Sequence, residues 1–241
     1  GAGNVLITAA TGPLKLGSIT GLDADVITIK TTSSTANDIT LGANITTSDI
    51  TLTLDSSGSI VAVDADRNIT VGNLNIIAIE QFDLDVTNGA GAAGGGDIVT
   101  DSAAASLGTV SIKAASVDIG DITTTASAAH ATTSDSGAVA ITLNGAAGGG
   151  YITGAIDVGN IATTGKVGTS SIGAAGGAVE IRGASIVVGT INTVGGAADN
   201  GTFAGGAAGA VILKSESEGI TTGAITTTGG AGNGAAGGAA G

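Results

Sequence analysis

The chain alternates apolar and polar residues over short segments that recur from one end to the other. In Val179-Glu180-Ile181-Arg182 the apolar side chains fall on one face and the charged ones on the other, which is the two-residue period of a β-strand. No segment repeats apolar residues at helical spacing over the length of a helix. The abundant Thr, Val and Ile also favour strands. The pattern predicts an all-β protein with almost no helix.

A six-residue motif marks a repeat: apolar, any residue, apolar or Thr, Gly, any residue, apolar. It starts at positions 14, 69, 117, 156, 186 and 220, and a variant with one extra residue starts at position 39. The starts are separated by 25, 30, 48, 39, 30 and 34 residues. Glycine allows a positive φ or a close backbone approach, so we expect a corner at each repeat glycine. These glycines are Gly17, Gly42, Gly72, Gly120, Gly159, Gly189 and Gly223.

A second short strand precedes most copies, as in Val139-Ala140-Ile141, and residues 77–86 are expected to supply another within the 48-residue gap. Units of two or three strands cannot bury their own apolar face, so successive units stack, with parallel strands about 4.8 Å apart. We therefore predict one domain over residues 1–241. It is a right-handed parallel β-helix, or β-solenoid, of about eight coils of roughly 30 residues, forming a rod about 40 Å long.

Low-complexity inserts separate the repeats. They are rich in Gly and Ala and cover residues 89–96, 145–150, 173–177, 195–209 and the tail 229–241. Such runs usually form flexible loops. An ordered tail must be held by a contact, and two alternatives are open: an inter-subunit contact, or packing against the solenoid of its own chain.

The amino-acid composition predicts a thin hydrophobic core and argues against several classes of function. The 241 residues include 44 glycines, one Tyr, two Phe and no Trp, Met or Cys, so we expect a thin core of stacked Ile and Val rather than a thick one. The net charge of −13 argues against nucleic-acid binding and against adsorption to anionic lipid. No apolar run reaches the roughly 18 residues needed to span a bilayer, so we predict no membrane insertion.

Two stretches carry a resemblance to a known group. The register of residues 179–196, and again of residues 209–230, is similar to the repeats of filamentous-haemagglutinin-like exoproteins, large bacterial surface adhesins secreted by the two-partner route. The resemblance spans most of the chain. It implies a right-handed parallel β-helix, an extracellular or cell-surface location, and a role in attachment or surface structure.

Three pairs of aspartates are the candidates for metal binding, because strand alternation would place both carboxylates of a pair on one face, where they could hold Ca²⁺. The simpler alternative is solvated carboxylates. The pairs are Asp23 and Asp25, Asp64 and Asp66, and Asp83 and Asp85.

Paired carboxylates also suggest a glycosidase, but we would expect aromatic platforms and nearby basic residues beside them. His130, the single histidine, lacks partner ligands for a metal.

Two further patterns suggest a modification site and an ice-binding face, but the sequence argues against both. Asn44-Ile45-Thr46 and Asn68-Ile69-Thr70 match the glycosylation sequon, but both fall inside predicted strands. Threonine runs such as residues 123–125 suggest an ice-binding face. The irregular repeat length is expected to disturb the flat lattice that such a face needs.

The leading hypothesis is an extracellular structural or adhesive rod that self-associates end to end or laterally, as in a surface filament. The second is a segment of a larger adhesin that binds glycan or protein through its inserts. The third is a polysaccharide-cleaving β-helix enzyme, and the fourth an ice-binding protein. The sequence contains no recognisable catalytic constellation, so we predict that the protein is not an enzyme and uses no cofactor.

Overall fold

The computed structural model describes residues 3–19, 25–32, 37–47, 50–86, 95–102, 108–126, 135–144, 154–169, 171–199 and 201–241. Over these ranges the chain forms short β-strands and no helix. No helix that could cross a membrane is found in the described part of the chain.

The strands follow one another in eight coils. In chain order the coils contain β1 (Asn4–Ala9) and β2 (Leu14–Leu16); β3 (Val26–Thr31), β4 (Ile39–Leu41) and β5 (Ile45–Thr46); β6 (Thr51–Ser56), β7 (Ile60–Ala62) and β8 (Ile69–Val71); β9 (Asn73–Ala78), β10 (Gln81–Asp83) and β11 (Ile98–Ser102); β12 (Val110–Ala114), β13 (Ser116–Ile119) and β14 (Ile122–Ala126); β15 (Val139–Leu143), β16 (Ala155–Val158) and β17 (Ile161–Thr164); β18 (Val179–Gly183), β19 (Ser185–Val188) and β20 (Ile191–Val194); β21 (Val211–Ser215), β22 (Ile220–Thr222) and β23 (Ile225–Thr228).

Each coil contributes one strand to each of three parallel sheets. The first strand of a coil lies in sheet A, the second in sheet B and the third in sheet C, which gives sheets of eight, eight and seven strands. In the first coil Ile19 takes the sheet C position and bridges Ile45. The predicted all-β parallel β-helix of about eight coils is therefore confirmed.

The core is a narrow column of aliphatic side chains enclosed by the three sheets. Inward positions alternate with outward ones along every strand, and the same inward position is filled coil after coil by Ile, Val or Leu. In sheet A one such row, paired rung by rung, is Ile29, Leu54, Ile76, Ile112, Ile141 and Ile181, all buried. Burial of each such side chain contributes about 1.5–3 kcal/mol. The row holds the coils in register.

Insert length does not disturb this register. Ile122, Ile161, Ile191 and Ile225 pair in succession in sheet C, although the connections between them differ in length. The inserts at residues 173–177 and 195–209 come between a sheet C strand and a sheet A strand, whereas residues 89–96 come between sheets B and C and residues 145–150 between sheets A and B. The expectation that the irregular repeat length disturbs a flat lattice stays a prediction.

One copy of the repeat lies in a different register from the others. Six of the motif copies begin on a sheet B strand, but Ile69–Val71 forms β8 in sheet C, and Leu74 then pairs in sheet A. The repeat pattern predicts that the glycine-marked strand at position 69 is the second strand of its coil, but it is the third. The 48-residue gap after it holds an entire coil, β9 to β11, whose sheet B strand carries no glycine motif. The predicted strand within residues 77–86 corresponds to the end of β9 and to β10.

The repeat glycines are required by close approach rather than by backbone conformation. None of them has a positive φ. A Cβ at Gly159 would lie 2.3 Å from Oδ1 of Asp121, and one at Gly189 would lie 2.7 Å from Oδ1 of Asn160. Gly17 is the exception, since a Cβ there would meet nothing within 4 Å. Three of these glycines, Gly120, Gly159 and Gly189, therefore leave space for a polar side chain of the preceding coil.

The described parts of the last three inserts form a second ordered stack beside the solenoid, which we call the glycine stack: residues 165–169, 171–178, 195–199, 201–210 and 229–241. Outgoing segments bond to each other between coils, as in Gly165 N to Val194 O at 2.8 Å. Returning segments do the same, as in Ala208 N to Ala239 O at 2.9 Å. These inserts are layers of hydrogen-bonded backbone rather than the flexible loops that their composition favours.

Hydrogen bonds also join the outgoing layer to the returning layer. Gly206 N donates to Gly196 O, Gly230 N to Gly206 O, and Gly238 N to Gly230 O, each at 2.8 Å. The layers are so close that a Cβ at Gly195 would lie 2.0 Å from Gly206 O. Backbone fills the space that side chains occupy elsewhere, so only glycine fits these positions. The tail at 229–241 bonds to its own chain here, and its contact with another subunit stays a prediction.

Candidate functional site

Three aspartates of sheet B stand in register on the outer face of the solenoid. Asp83 of β10 pairs with Asp118 of β13, and Asp118 pairs with Asp157 of β16. Their neighbours along the strands, such as Phe82, are buried in the core, so the carboxylates project outward. Parallel strands place equivalent residues about 4.8 Å apart. We call this row the aspartate column.

The aspartate column lies in a cleft of about 300 Å³ over the three strands. The lining residues are Gln81, Phe82, Asp83, Ser116, Val117, Asp118, Ala155 and Asp157. Asp83 and Asp118 are half-buried, whereas Asp157 is only 9% exposed. The cleft thus concentrates three carboxylates in partly water-excluded surroundings.

One oxygen of each carboxylate in the column lacks a hydrogen-bond partner. Oδ1 of Asp83, of Asp118 and of Asp157 is buried and accepts no hydrogen bond. No ion pair between described residues involves any of the three, since those pairs join Lys30 to Asp55, Arg182 to Glu180 and Lys214 to Glu216. Removing a carboxylate from water without a partner is costly. The column is therefore electrostatically unfavourable when fully ionised.

Burial and mutual repulsion raise the pKa of all three groups. Burial is the largest cause for Asp118, and with the negative charges of Asp83, Asp157 and Asp85 it raises the pKa of Asp118 to about 6. Burial also raises the pKa of Asp83, with additions from Asp85 and Asp66 against a backbone hydrogen bond from Asp85. The pKa of Asp157 is raised by burial and by Asp85. The column therefore retains protons at a pH where ordinary aspartates have lost theirs.

The predicted aspartate pairs are only partly brought together. Asp83 belongs to the column, and Asp85 lies just beyond β10, 5% exposed. Asp64 and Asp66 lie between β7 and β8, outside any strand, and Asp64 has a φ of 69°, so the strand alternation assumed for that pair is wrong. Oδ1 of Asp66 accepts the amide of Val86 at 3.0 Å.

Other predicted positions lie away from the column or outside the described ranges. Asp25 immediately precedes β3, whereas Asp23 and His130 fall outside the described residues. Within the described ranges, no three side chains of His, Cys, Asp or Glu are grouped to hold one metal ion. Any ion in the column would have to be shared between successive rungs.

A second polar row runs along the corner that precedes sheet C. Each member accepts, through its side-chain oxygen, the backbone amide of the equivalent residue in the next coil. The bonds are Asn68 N to Asn44 Oδ1 at 3.1 Å, Asp97 N to Asn68 Oδ1 at 3.0 Å, Asp121 N to Asp97 Oδ1 at 2.9 Å, Asn160 N to Asp121 Oδ1 at 2.6 Å and Thr190 N to Asn160 Oδ1 at 2.9 Å. We call this row the corner ladder; it supplies side-chain partners for backbone amides at turns.

The corner ladder changes the interpretation of the two sequons. Asn44 and Asn68 were expected inside strands, but each immediately precedes one, β5 and β8. Their Oδ1 atoms are occupied by backbone amides. Both residues are thus structural parts of the corner.

Sequence reasoning missed two members of the aspartate column. Asp118 and Asp157 occupy the same place in successive copies of the repeat, in Val117-Asp118-Ile119 and Ile156-Asp157-Val158. Comparing copies with each other would have shown this coincidence, whereas looking for pairs within one strand did not. Asp83 lies in the coil without a glycine motif, so only the observed register places it in the row.

Comparison with protein-family models, curated proteins and solved structures found no match to this chain. The function has to be argued from the fold and from the two polar rows.

Proposed function

We propose that this protein is an extracellular structural or adhesive β-solenoid, the role that its resemblance to filamentous-haemagglutinin-like exoproteins implies. The observation that carries the proposal is the continuous lateral bonding of the coils. Three sheets, the corner ladder and the glycine stack each join successive coils by hydrogen bonds. Such a stack is stiff along its axis and holds surface groups at fixed spacing.

The outer faces of the sheets suit a surface that makes contacts. Outward positions of sheet C carry short side chains, including Thr123, Thr164, Asn192 and Thr226. Short side chains lose little conformational entropy when a partner covers them. A flat polar face on a rigid support therefore favours attachment to a surface glycan or protein, and we keep both as partners in the proposal.

Self-association is part of the same proposal. β1 is the outermost strand at one end of sheet A, and β23 is the outermost strand at the opposite end of sheet C. Core positions are exposed at both edges, since Ile7 is 43% exposed in β1 and Ile225 is 46% exposed in β23. Unpaired edges of this kind add further strands readily. End-to-end stacking of copies would pair these edges and bury the apolar groups.

Negative-stain microscopy and sedimentation velocity across a concentration series test the filament version. We expect the wild-type chain to form linear assemblies whose mass rises with concentration. Ile225→Lys should abolish them, because it places a charge in the edge, whereas Thr164→Lys, on an exposed site of sheet C, should leave them intact. A chain that stays monomeric at all concentrations contradicts the filament version.

Binding of labelled protein to glycan arrays and to bacterial or host cell surfaces tests the adhesive version. We expect saturable binding to at least one surface class. The absence of binding to every surface, together with the absence of assemblies, would overturn the proposed function as a whole.

A further inference from the structure

We propose that the aspartate column binds a divalent cation of the Ca²⁺ class, held between the carboxylates of Asp118 and its neighbours in the adjacent coils. The site is formed by three strands of sheet B and depends on the register of the coils. The inference stands on the geometry of the cleft and does not require the proposed adhesive function.

The spacing of the rungs fits one ion between two carboxylates. Ca²⁺ binds oxygen at about 2.3–2.6 Å, so two oxygens on opposite sides of one ion lie about 4.6–5.2 Å apart. In-register parallel strands separate Asp83 from Asp118, and Asp118 from Asp157, by about 4.8 Å. Mg²⁺ binds oxygen at about 2.0–2.1 Å, which would require carboxylates about 4.1 Å apart. The column therefore favours the larger ion.

Asp157 supplies the second, independent indication of a ligand. Its side chain lines the cleft, the residue is only 9% exposed, and its buried Oδ1 has no hydrogen-bond partner. A buried carboxylate oxygen without a partner is unfavourable unless the group is protonated or bound to a cation. Oδ1 of Asp118, one rung away, is also buried and unpartnered. A single ion between them would satisfy both.

The remaining coordination positions can be filled within the same cleft. Gln81 and Ser116 line it and carry side-chain oxygens of the kind that Ca²⁺ accepts. The volume of about 300 Å³ also admits several waters, since each water occupies about 30 Å³. Two carboxylates completed by neutral ligands make a modest site, and we expect a Kd of roughly 10⁻⁴ M.

Isothermal titration calorimetry of the chelator-treated full chain with CaCl₂ at pH 7.5 is the direct test. The key variant is Asp118→Asn, which keeps the shape and removes the shared charge. Asp199→Asn is the matched control, because it removes the same charge at an exposed position in the glycine stack. We expect Kd to rise at least tenfold in Asp118→Asn, to change less than twofold in the control, and to be weaker for MgCl₂ than for CaCl₂.

Saturable binding with this pattern supports the site. The absence of saturable heat in the wild-type chain up to about 10 mM CaCl₂ would overturn it, and so would unchanged affinity in Asp118→Asn. Circular dichroism confirms that each variant keeps its strand content.

Discussion

The hydroxyl of Thr193 donates a hydrogen bond to the carbonyl oxygen of Gly209 at 2.7 Å. Thr193 is fully buried on the inner side of sheet C, and Gly209 ends the insert that leads back to sheet A. The same bond joins Thr124 to Gly137 at 2.8 Å and Thr163 to Gly177 at 2.7 Å. Each bond fastens the core to the returning end of an insert, at the corner where a long connection re-enters the coil.

Replacing this hydroxyl should destabilise the fold. Thr193→Val keeps the shape but leaves the carbonyl of Gly209 without its side-chain donor, so we expect the free energy of unfolding to fall by about 1–3 kcal/mol. Denaturant unfolding followed by circular dichroism measures the loss. Thr164→Val, an exposed outward position on the neighbouring strand, should change stability by less than about 0.5 kcal/mol. Equal losses of stability in Thr193→Val and Thr164→Val would show that the buried hydrogen bond does not stabilise the fold.

Replacing a repeat glycine by alanine should destabilise the protein only where a side chain of the corner ladder lies close to that glycine. The Cβ of Gly159→Ala would lie 2.3 Å from Oδ1 of Asp121, which accepts the amide of Asn160. We expect a loss of about 1–3 kcal/mol from overpacking. Gly17→Ala meets no atom within 4 Å and should stay within about 0.5 kcal/mol of wild type. Thermal unfolding of both variants measures these changes in stability. A comparable loss of stability in Gly17→Ala would contradict the explanation by close approach.

The glycine stack should tolerate side chains even less. A Cβ at Gly206 would lie 1.9 Å from the carbonyl oxygen of Ala174, which belongs to rigid backbone, so Gly206→Ala should cost about 3 kcal/mol. Amide hydrogen exchange should show the loss as faster exchange over residues 195–210. Gly219→Ala is the control, because that position is open. Unchanged exchange in Gly206→Ala would mean that the returning segments of successive coils are not in contact in solution.

The aspartate column predicts a pH dependence of stability. The pKa of Asp118 is raised from 3.8 to about 6 in the folded protein. The folded state therefore binds more protons than the unfolded state between these values, and stability falls as the pH rises through this window. Asp118→Asn removes the penalty, so it should be more stable than wild type at pH 7 by roughly 1 kcal/mol after solvent screening. Below pH 3.5 the two should be equally stable.

Unfolding midpoints measured from pH 3.5 to pH 7.5 in metal-free buffer test whether the stability of the wild-type protein falls as the pH rises. Asp199→Asn should keep the wild-type slope, because that residue is exposed and lies outside the column. A slope that is the same in wild type and Asp118→Asn would place the responsible titration elsewhere.

Strand positions were more predictable than the register between coils. Val139-Ala140-Ile141 and Val179-Glu180-Ile181 were expected to be strands, and both are, because alternation is a local property of the chain. The copy at Ile69 was assigned to the wrong corner, because a residue pattern of apolar, any, apolar and Gly fits more than one corner of a narrow solenoid. Only pairing with β5 and β11 identifies it as part of sheet C.

The sequence alone determined the fold class, since a two-residue period repeated along a chain with hardly any aromatic side chains can bury its apolar face only by stacking coil on coil. It did not determine which polar residues would meet. Asp83 and Asp118 are 35 positions apart and become neighbours only because β10 and β13 pair in register. The stacking of Gly206 against Ala174 is likewise a contact between distant segments. The tertiary structure decided both, because side-chain periodicity specifies which face is buried but not which rung lies beside it.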